Sequence, residues 1–443
     1  MPNTHAPTQA NNMRFPGKRK SKHYFPVSKR GLVSFTETAN DANVYLVGID
    51  QVLVDIEAHV DATWLDRLGV AAGQSEVLED ALVDRVYAEL KEAGHIVGEY
   101  AGGSVGNTLH NYSVLADNHS HLLGAITRHI TVGDYAFHYI RHTSARVGLN
   151  NLWPGDGPMG RAICLVTSDG ERSFGISRGV MNDLPAAAIP EELVQGASAL
   201  VLTAYLLRDE SALIFAATVR AIELANAAGV PVVLSLGTAS LVGDRGAFLR
   251  RLIADSVDIL AGNLDEFAAL TGETDPLLAA RAALDLVDLV LLTRDRHGLY
   301  VCGWVDAEQA RETRDLIHSK AIPEYNRLEY SRAMPRSACT DAKKVYSHIN
   351  PYHGGAAVVA NTNGAGDAAL AALLHDMAAN VHHRQASPTS PKHRARFLTY
   401  SSVHQICKYA NRVSYEVLRR NSPRLTQGLP EREDSLEEAY WET

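Results

Sequence analysis

Asn361-Thr362-Asn363-Gly364-Ala365-Gly366-Asp367 is the stretch with the clearest capacity for chemistry. An apolar run at 356–360 reads as a strand leading into it, and the small residues of 368–374 read as a helix leaving it. A glycine turn at a helix start presents free backbone N–H groups at the positive end of the helix dipole. That is a seat for an anion, above all a phosphate. Small residues let a ligand approach the backbone. Asp367 stands at the mouth of the seat, where its charge would repel a resting phosphate. A general base resolves the conflict: the carboxylate takes the proton of an attacking hydroxyl while the N–H groups receive the transferring charge. The plain alternative is a helix-start turn with Asp367 as a capping carboxylate.

Ala101-Gly102-Gly103-Ser104-Val105-Gly106-Asn107-Thr108 forms a second glycine turn, opening a helical pattern over 108–115. It is either an ordinary helix start or a backbone that approaches a small ligand, with the Asn107 amide able to donate and accept. Asp55 lies in a partly alternating stretch, 52–58, as an outward strand residue or as a ligand group.

The positioning elements follow from the pattern. Residues 44–49 form an apolar strand ending at Asp50, and 162–167 and 172–177 flank Ser168-Asp169-Gly170-Glu171 as a hairpin, a lid or dimerisation flap. From Ala199 onward strands at 199–203, 230–236, 257–261 and 287–293 alternate with helical patterns, the longest at 211–228. Such alternation implies a mostly parallel sheet covered on both faces, with ligands beyond the carboxyl ends of its strands. Residues 392–419 read as a long helix.

Composition sets the bounds. The chain has 443 residues, 46% hydrophobic and 21% charged, enough for a large core. A net charge of −9 argues against broad nucleic-acid binding and against an anionic membrane surface. Four scattered cysteines suit a reducing, cytoplasmic setting. No apolar run reaches the length of a membrane span, and the N-terminus lacks the apolar core of a signal peptide. The lysine-bearing phosphate loop is absent, and His375, His382 and His383 lack the zinc-binding His-Glu-x-x-His spacing.

Four motifs in order resemble the ribokinase or PfkB family: Gly102-Gly103 with Asn107, the Asp169-Gly170 hairpin, Asn263-Leu264-Asp265-Glu266 followed by Leu270-Thr271-Gly272, and the Asn361–Asp367 stretch. The resemblance implies a ribokinase-like α/β fold with a small β lid, ATP as phosphoryl donor and Mg2+. It extends the expectation to a monovalent cation such as K+. Residues 15–26, 47–51 and 429–438 are similar to the branch that phosphorylates inosine and guanosine at the 5′-hydroxyl. A kinase of adenosine or of a free sugar, or a non-catalytic sensor on the same fold, are the alternatives.

The roles implied are these. Asp367 is the base, and the backbone of Gly364, Ala365 and Gly366 is the anion hole. Asp55 grips the ribose hydroxyls with Gly102, Gly103 and Asn107. Asn263 and Glu266 place Mg2+ and its waters, Glu266 being the metal-facing carboxylate. Thr293, Gly298 and Asn363 line the nucleotide side, and Asn411 the adenine. Arg208 is a candidate reader of the 6-oxopurine edge, because a guanidinium donates two bonds to O6 and N7; Asp50 and Gln51 are further candidates. For Asn263 with Glu266, for Asn411 and for Arg208, a solvated polar residue is the plain alternative. Asn361 stands where the family often has Asp.

The expected organisation is an N-terminal extension with a basic arm (1–43), a kinase domain (44–424) with an insertion near 304–350, and an acidic tail (425–443). A homodimer through the lid is part of the same expectation.

Overall fold

The computed structural model describes residues 44–116, 118–313, 322, 324–356 and 358–429. The expected basic arm and residues 430–443 of the acidic tail lie outside the described residues.

The strands are β1 (Leu46–Ile49), β2 (Leu53–His59), β3 (Ser75–Val77), β4 (Ile96–Ala101), β5 (Ser120–Thr127), β6 (Val147–Gly148), β7 (Leu152–Gly155), β8 (Gly160–Val166), β9 (Arg172–Ser177), β10 (Ala199–Thr203), β11 (Val232–Ser235), β12 (Ile259–Asn263), β13 (Leu289–Thr293), β14 (Leu299–Asp306) and β15 (Ala342–Ile349). The helices are α1 (Thr63–Leu68), α2 (Asp80–Glu92), α3 (Ser104–Ala116), α4 (Tyr135–Arg141), α5 (Glu191–Gln195), α6 (Leu213–Ala228), α7 (Ala239–Asp244), α8 (Gly246–Ser256), α9 (Leu264–Thr271), α10 (Pro276–Ala283), α11 (Ala365–Ala386) and α12 (Val403–Leu418).

A ten-stranded sheet runs β15-β14-β13-β12-β11-β10-β1-β5-β6, with β7 on β5. From β13 to β5 its neighbours are parallel, and β14 and β15 pair antiparallel at the edge. The central strands are continuous apolar runs because both faces are covered. Leu46, Val201 and Leu291 belong to one core and Ile49, Leu202 and Leu292 to the other. The parallel strands end on a common side, which places Asp50, Thr203, Asn263 and Thr293 there.

A second sheet, β3-β9-β8-β2-β4, is the lid. The Asp169–Gly170 hairpin forms as expected, with Gly170 in the left-handed turn between β8 and β9. Period-2 alternation along β2 puts Asp55 and Glu57 on one face and Val54, Ile56 and Ala58 on the other. The apolar face joins Leu65 and Leu68 of α1 and Val83, Val86 and Leu90 of α2 in one cluster. Arg161 and Ser177 bond Asp84 and Asp80 of α2. The lid's outer face is therefore covered by the chain's own helices.

Three expectations change. Residues 356–360, read as a strand, form no strand among the described residues. Val358 there is 75% exposed, so the apolar run has no sheet neighbour to bury it. The long helix at 392–419 is confined to α12, because Ser402 caps its N-terminus through the Gln405 N–H. The irregular segment 304–350 contains the sheet's edge strand β15, paired along its length with β14.

Candidate active site

Two helix starts meet at the side where the parallel strands end. At the first, Gly102-Gly103 leads into α3. The Gly102 N–H bonds the Leu53 carbonyl at 3.0 Å, which ties the turn to the lid strand β2. Gly103 has φ 87°, and a Cβ there would collide with the Asp50 carboxylate. A Cβ on Gly102 would lie 2.6 Å from Asp55 Oδ2. Both glycines thus make room for carboxylates packed under the turn. Asp50 is 1% exposed; its Oδ2 accepts from the Gly106 N–H at 2.7 Å and its Oδ1 from the Gln51 N–H at 2.9 Å.

At the second start, Gly364 leads into α11 with φ 78°, and no side chain caps this helix. Gly366 has open space where a Cβ would be. The first-turn N–H groups of a 22-residue helix therefore face the cleft with room for a large anion. Alanines line α11 from Ala368 to Ala379, which lets α3 and α12 pack closely on it.

Asp367 lies between the two turns, half-buried. The Ser104 hydroxyl donates to its Oδ1 at 2.6 Å, and the Asn107 amide donates to its Oδ2 at 3.3 Å. The Thr108 hydroxyl reaches the Asp367 carbonyl at 3.4 Å. Burial pushes the Asp367 carboxyl up to about 6, against the lowering effect of these two donors and of the Arg424 cation. A group so poised is largely ionised at neutral pH and basic enough to accept a proton. Ser104 also shows that a hydroxyl fits against Oδ1.

Burial raises the neighbouring acids further, Asp55 to about 7 and Asp50 to about 8, and the charge of Asp367 adds to both. Asp55 sits on the inner face of the lid, not outward. Glu57, two residues on, shares that face; its Oε2 accepts from the Asn361 amide at 3.2 Å, which joins lid to phosphate turn. Asn361 Oδ1 in turn accepts from the Asn363 N–H at 2.8 Å, shaping the loop before Gly364.

The other end of the cleft is built at β12 and β13. Asn263 and Thr293 are register partners. Asn263 and Glu266 form a capping box at the start of α9: Glu266 Oε2 accepts from the Asn263 N–H at 3.0 Å, and Oε1 from its amide at 2.8 Å. Burial pushes Glu266 up to about 8. Gly298, left-handed, closes the β13–β14 turn against the Ile349 carbonyl. Among the described residues no three His, Cys, Asp or Glu side chains form a metal cluster. A cation nearby favours the ionised form of Glu266, whose oxygens then retain lone pairs for water, so the residues fit a hydrated Mg2+ carried on phosphates rather than a dedicated cage.

Other candidates have different surroundings. Asp50 is sealed beneath the first turn, so it does not face a purine edge. The Gln51 amide donates to Asn182 Oδ1 at 2.6 Å. Arg208 lies over the Tyr205 ring at 5.4 Å, and Tyr205 feels the charges of both Glu266 and Asp367. Asn411 donates to the Asn350 carbonyl at 2.6 Å, which ties α12 to the loop after β15. Sequence reasoning missed Ser104, Glu57 and Arg424. Glu57 was signalled by its i+2 spacing from Asp55, and Ser104 by its place beside Gly103.

The pfkB family carbohydrate kinase pattern matches residues 74–318, more than half of the chain. The guanosine-inosine kinase of Escherichia coli K12 is 53% identical over 433 residues, 97% of this chain and 100% of that protein. This chain belongs to the PfkB family. Among solved structures, a probable sugar kinase from Rhizobium etli CFN 42 aligns with TM-score 0.65 at 18% identity, covering 90% of this chain and 98% of that one. The adenosine kinase of Sinorhizobium meliloti aligns with TM-score 0.64 at 20% identity, covering 87% and 97%. At these identities the two share the fold, a ribokinase-like α/β architecture, as expected from the sequence. The PfkB match ends before the Asn361–Asp367 turn, whereas the Escherichia coli relative spans it.

Proposed function

We propose that this protein transfers the γ-phosphoryl group of ATP to the 5′-hydroxyl of inosine and guanosine, giving IMP and GMP in purine salvage. The observation that carries the reading is the Asp367 carboxylate, held by Ser104 and Asn107 between one helix start filled with acids and another left open. The nucleoside choice rests on the full-length similarity to the guanosine-inosine kinase.

In this reading the nucleoside's ribose lies under the lid, with its 2′- and 3′-hydroxyls on Asp55 and the Gly102-Gly103 turn. Its 5′-hydroxyl takes the place of the Ser104 hydroxyl on Asp367. Asp367 accepts the proton as the 5′-oxygen bonds to the γ-phosphorus. The bond from that phosphorus to the bridging oxygen breaks, and its electron pair leaves with ADP. Backbone N–H groups of Gly364, Ala365 and Gly366 hold the equatorial charge. When bound, Mg2+ would supply charge neutralisation on the phosphates, and Glu266 and Asn263 would hold it. Asn363, Thr293 and Gly298 border the nucleotide.

Arg208 reading the O6 edge is the finer part. The Tyr205 ring, 5.4 Å from its Cζ, supports this position of the guanidinium. Arg208→Ala should lower the inosine-over-adenosine ratio of kcat/KM about tenfold, and an unchanged ratio rejects that role. K+ dependence is checked by replacing K+ with choline. A homodimer through the lid would use the β4 edge, where Val97 is half exposed, and sedimentation measures it. Cytoplasmic placement rests on four free cysteines, and no described helix is long and apolar enough to cross a membrane.

The test is ADP release with inosine, guanosine, adenosine, ribose and fructose. Inosine and guanosine should lead. A lead for adenosine or a free sugar moves the enzyme to another member activity, and no ADP with any acceptor leaves a sensor.

A further inference from the structure

The chain beyond α12 does not leave the molecule at once. Residues 421–425 run between the two glycine turns and bond to both. The Asn421 carbonyl accepts from the Asn361 amide at 2.8 Å. Pro423 lies against Gly364, where a Cβ would sit 2.5 Å from the proline Cβ. On the other side, the Pro423 carbonyl accepts from the Asn111 amide at 3.1 Å, and the Leu425 N–H donates to Asn111 Oδ1 at 2.7 Å. His110 Nε2 meets the Leu425 carbonyl at 2.8 Å.

Arg424 sits in the middle of this strap and is 4% exposed. Its Nε donates to Asn107 Oδ1 at 2.9 Å, one Nη to the Thr143 hydroxyl at 2.7 Å, and the other to the Gly102 carbonyl at 3.3 Å. The guanidinium also stands over the Tyr139 ring at 5.0 Å. A guanidinium only donates. It therefore takes the oxygen of the Asn107 amide and turns the NH2 toward Asp367. The reversed amide would set NH2 against the cation and C=O against the carboxylate, both repulsive.

Charge gives a second argument. Asp50 at the end of β1, Asp55 on β2 and Asp367 on α11 are all in the field of Arg424. His110 on α3 and Tyr139 on α4 also face it; burial and this cation hold His110 down, to about 4, so it adds no positive charge at neutral pH. A buried cation among these acids favours their ionised forms against burial.

We propose that Arg424 is a positioning residue for phosphoryl transfer: carried in by the strap, it orients Asn107 toward Asp367 and holds the Gly102 turn in place. The proposal rests on Asp367 acting as base, so both are tested together, with guanosine and ATP. Arg424→Ala should keep the parent's circular dichroism, lose about 100-fold in kcat and change the ATP KM by less than about threefold. Loss of the cation raises the Asp367 pKa, so the acid limb of the kcat profile moves to higher pH. Millimolar guanidinium should restore part of kcat in this variant and none in Asp367→Asn.

Arg424→Lys keeps the charge and loses the fork. Its acid limb should stay in place while kcat falls about tenfold. A folded Arg424→Ala with kcat within about twofold of the parent and the same limb overturns the proposal. Should that variant not fold, parent-level kcat in Arg424→Lys overturns it. An active Asp367→Asn removes the base reading itself; an inactive one beside a normal Arg424→Ala removes only the role of the strap.

Discussion

The two helix starts look alike in sequence and differ in what fills them. Both are glycine turns with a left-handed residue, Gly103 and Gly364, and both direct backbone N–H groups toward the cleft. At α3 the chain supplies its own acceptor: Asp50 takes the Gly106 N–H, with Asp55 alongside. At α11 no side chain caps the helix, and Gly366 faces open space. A helix start whose N–H is already bonded and whose space is filled by acid side chains has little room left for a phosphate, whereas an uncapped, open one keeps its donors free. The same local motif thus yields an acid-rich nucleoside side and an anion-receiving nucleotide side, and Asp367 stands where they meet.

The largest effect should come from the residue at that junction. Asp367→Asn should cost roughly three orders of magnitude or more in kcat with little change in KM, measured by initial rates of ADP release. In the parent, activity should fall as pH drops below about 6, because protonated Asp367 cannot accept the hydroxyl proton. A pH-independent rate across that range would detach Asp367 from the chemistry. Next comes an attempt to make the open start resemble the filled one. Gly366→Asp places a carboxylate in free space at a helix N-terminus, where it favours the helix. The ATP kcat/KM should fall about 100-fold while the guanosine KM and the melting temperature hold. An unaffected ATP KM would mean that phosphate does not sit on α11.

How much of this was legible depends on where each signal lay. Asp367, Gly364 and Asn107 sit in local motifs, so spacing alone marked them. Asp55 was visible as a residue but not in its direction, since its partly alternating stretch fits either face of a strand. The run at 356–360 misled because apolar composition implies a strand only where a sheet neighbour exists, and here Val358 and Val359 are left exposed. Arg424 was read as the end of the kinase domain. The clue was electrostatic: a reading that gathered Asp50, Asp55 and Asp367 in one cleft should have sought a buried cation for them. Which of 42 Lys and Arg residues it was depended on tertiary contacts across more than 300 positions.

A smaller effect separates the turns by stability. Gly103→Ala adds a Cβ against the Asp50 carboxylate at a positive φ, and should cost about 2 kcal/mol or more. Gly366→Ala meets nothing and sits in a helix, so it should be neutral or stabilising by up to about 1 kcal/mol. Chemical denaturation of both variants measures the difference, and equal losses would deny that the first start is filled and the second open.

The subtlest test concerns the acid beneath the first turn. Burial raises Asp50 from an ordinary 3.8 to about 8. From about pH 4 to 8 the unfolded chain therefore holds fewer protons at this residue than the folded one. Its contribution to stability is complete below the unfolded value and is lost as pH rises through about 8. Asp55, at about 7, and Glu266, at about 8, act in the same direction, so the parent's stability should decline from pH 5 to 8. Asp50→Asn removes one of these titrations and should make that decline shallower. The Asn carbonyl can still accept from the Gly106 N–H, so the turn keeps its partner while losing the titration. If the slope is the same in both proteins, Asp50 titrates alike in the folded and unfolded chains, and the first helix start is not closed over a buried acid.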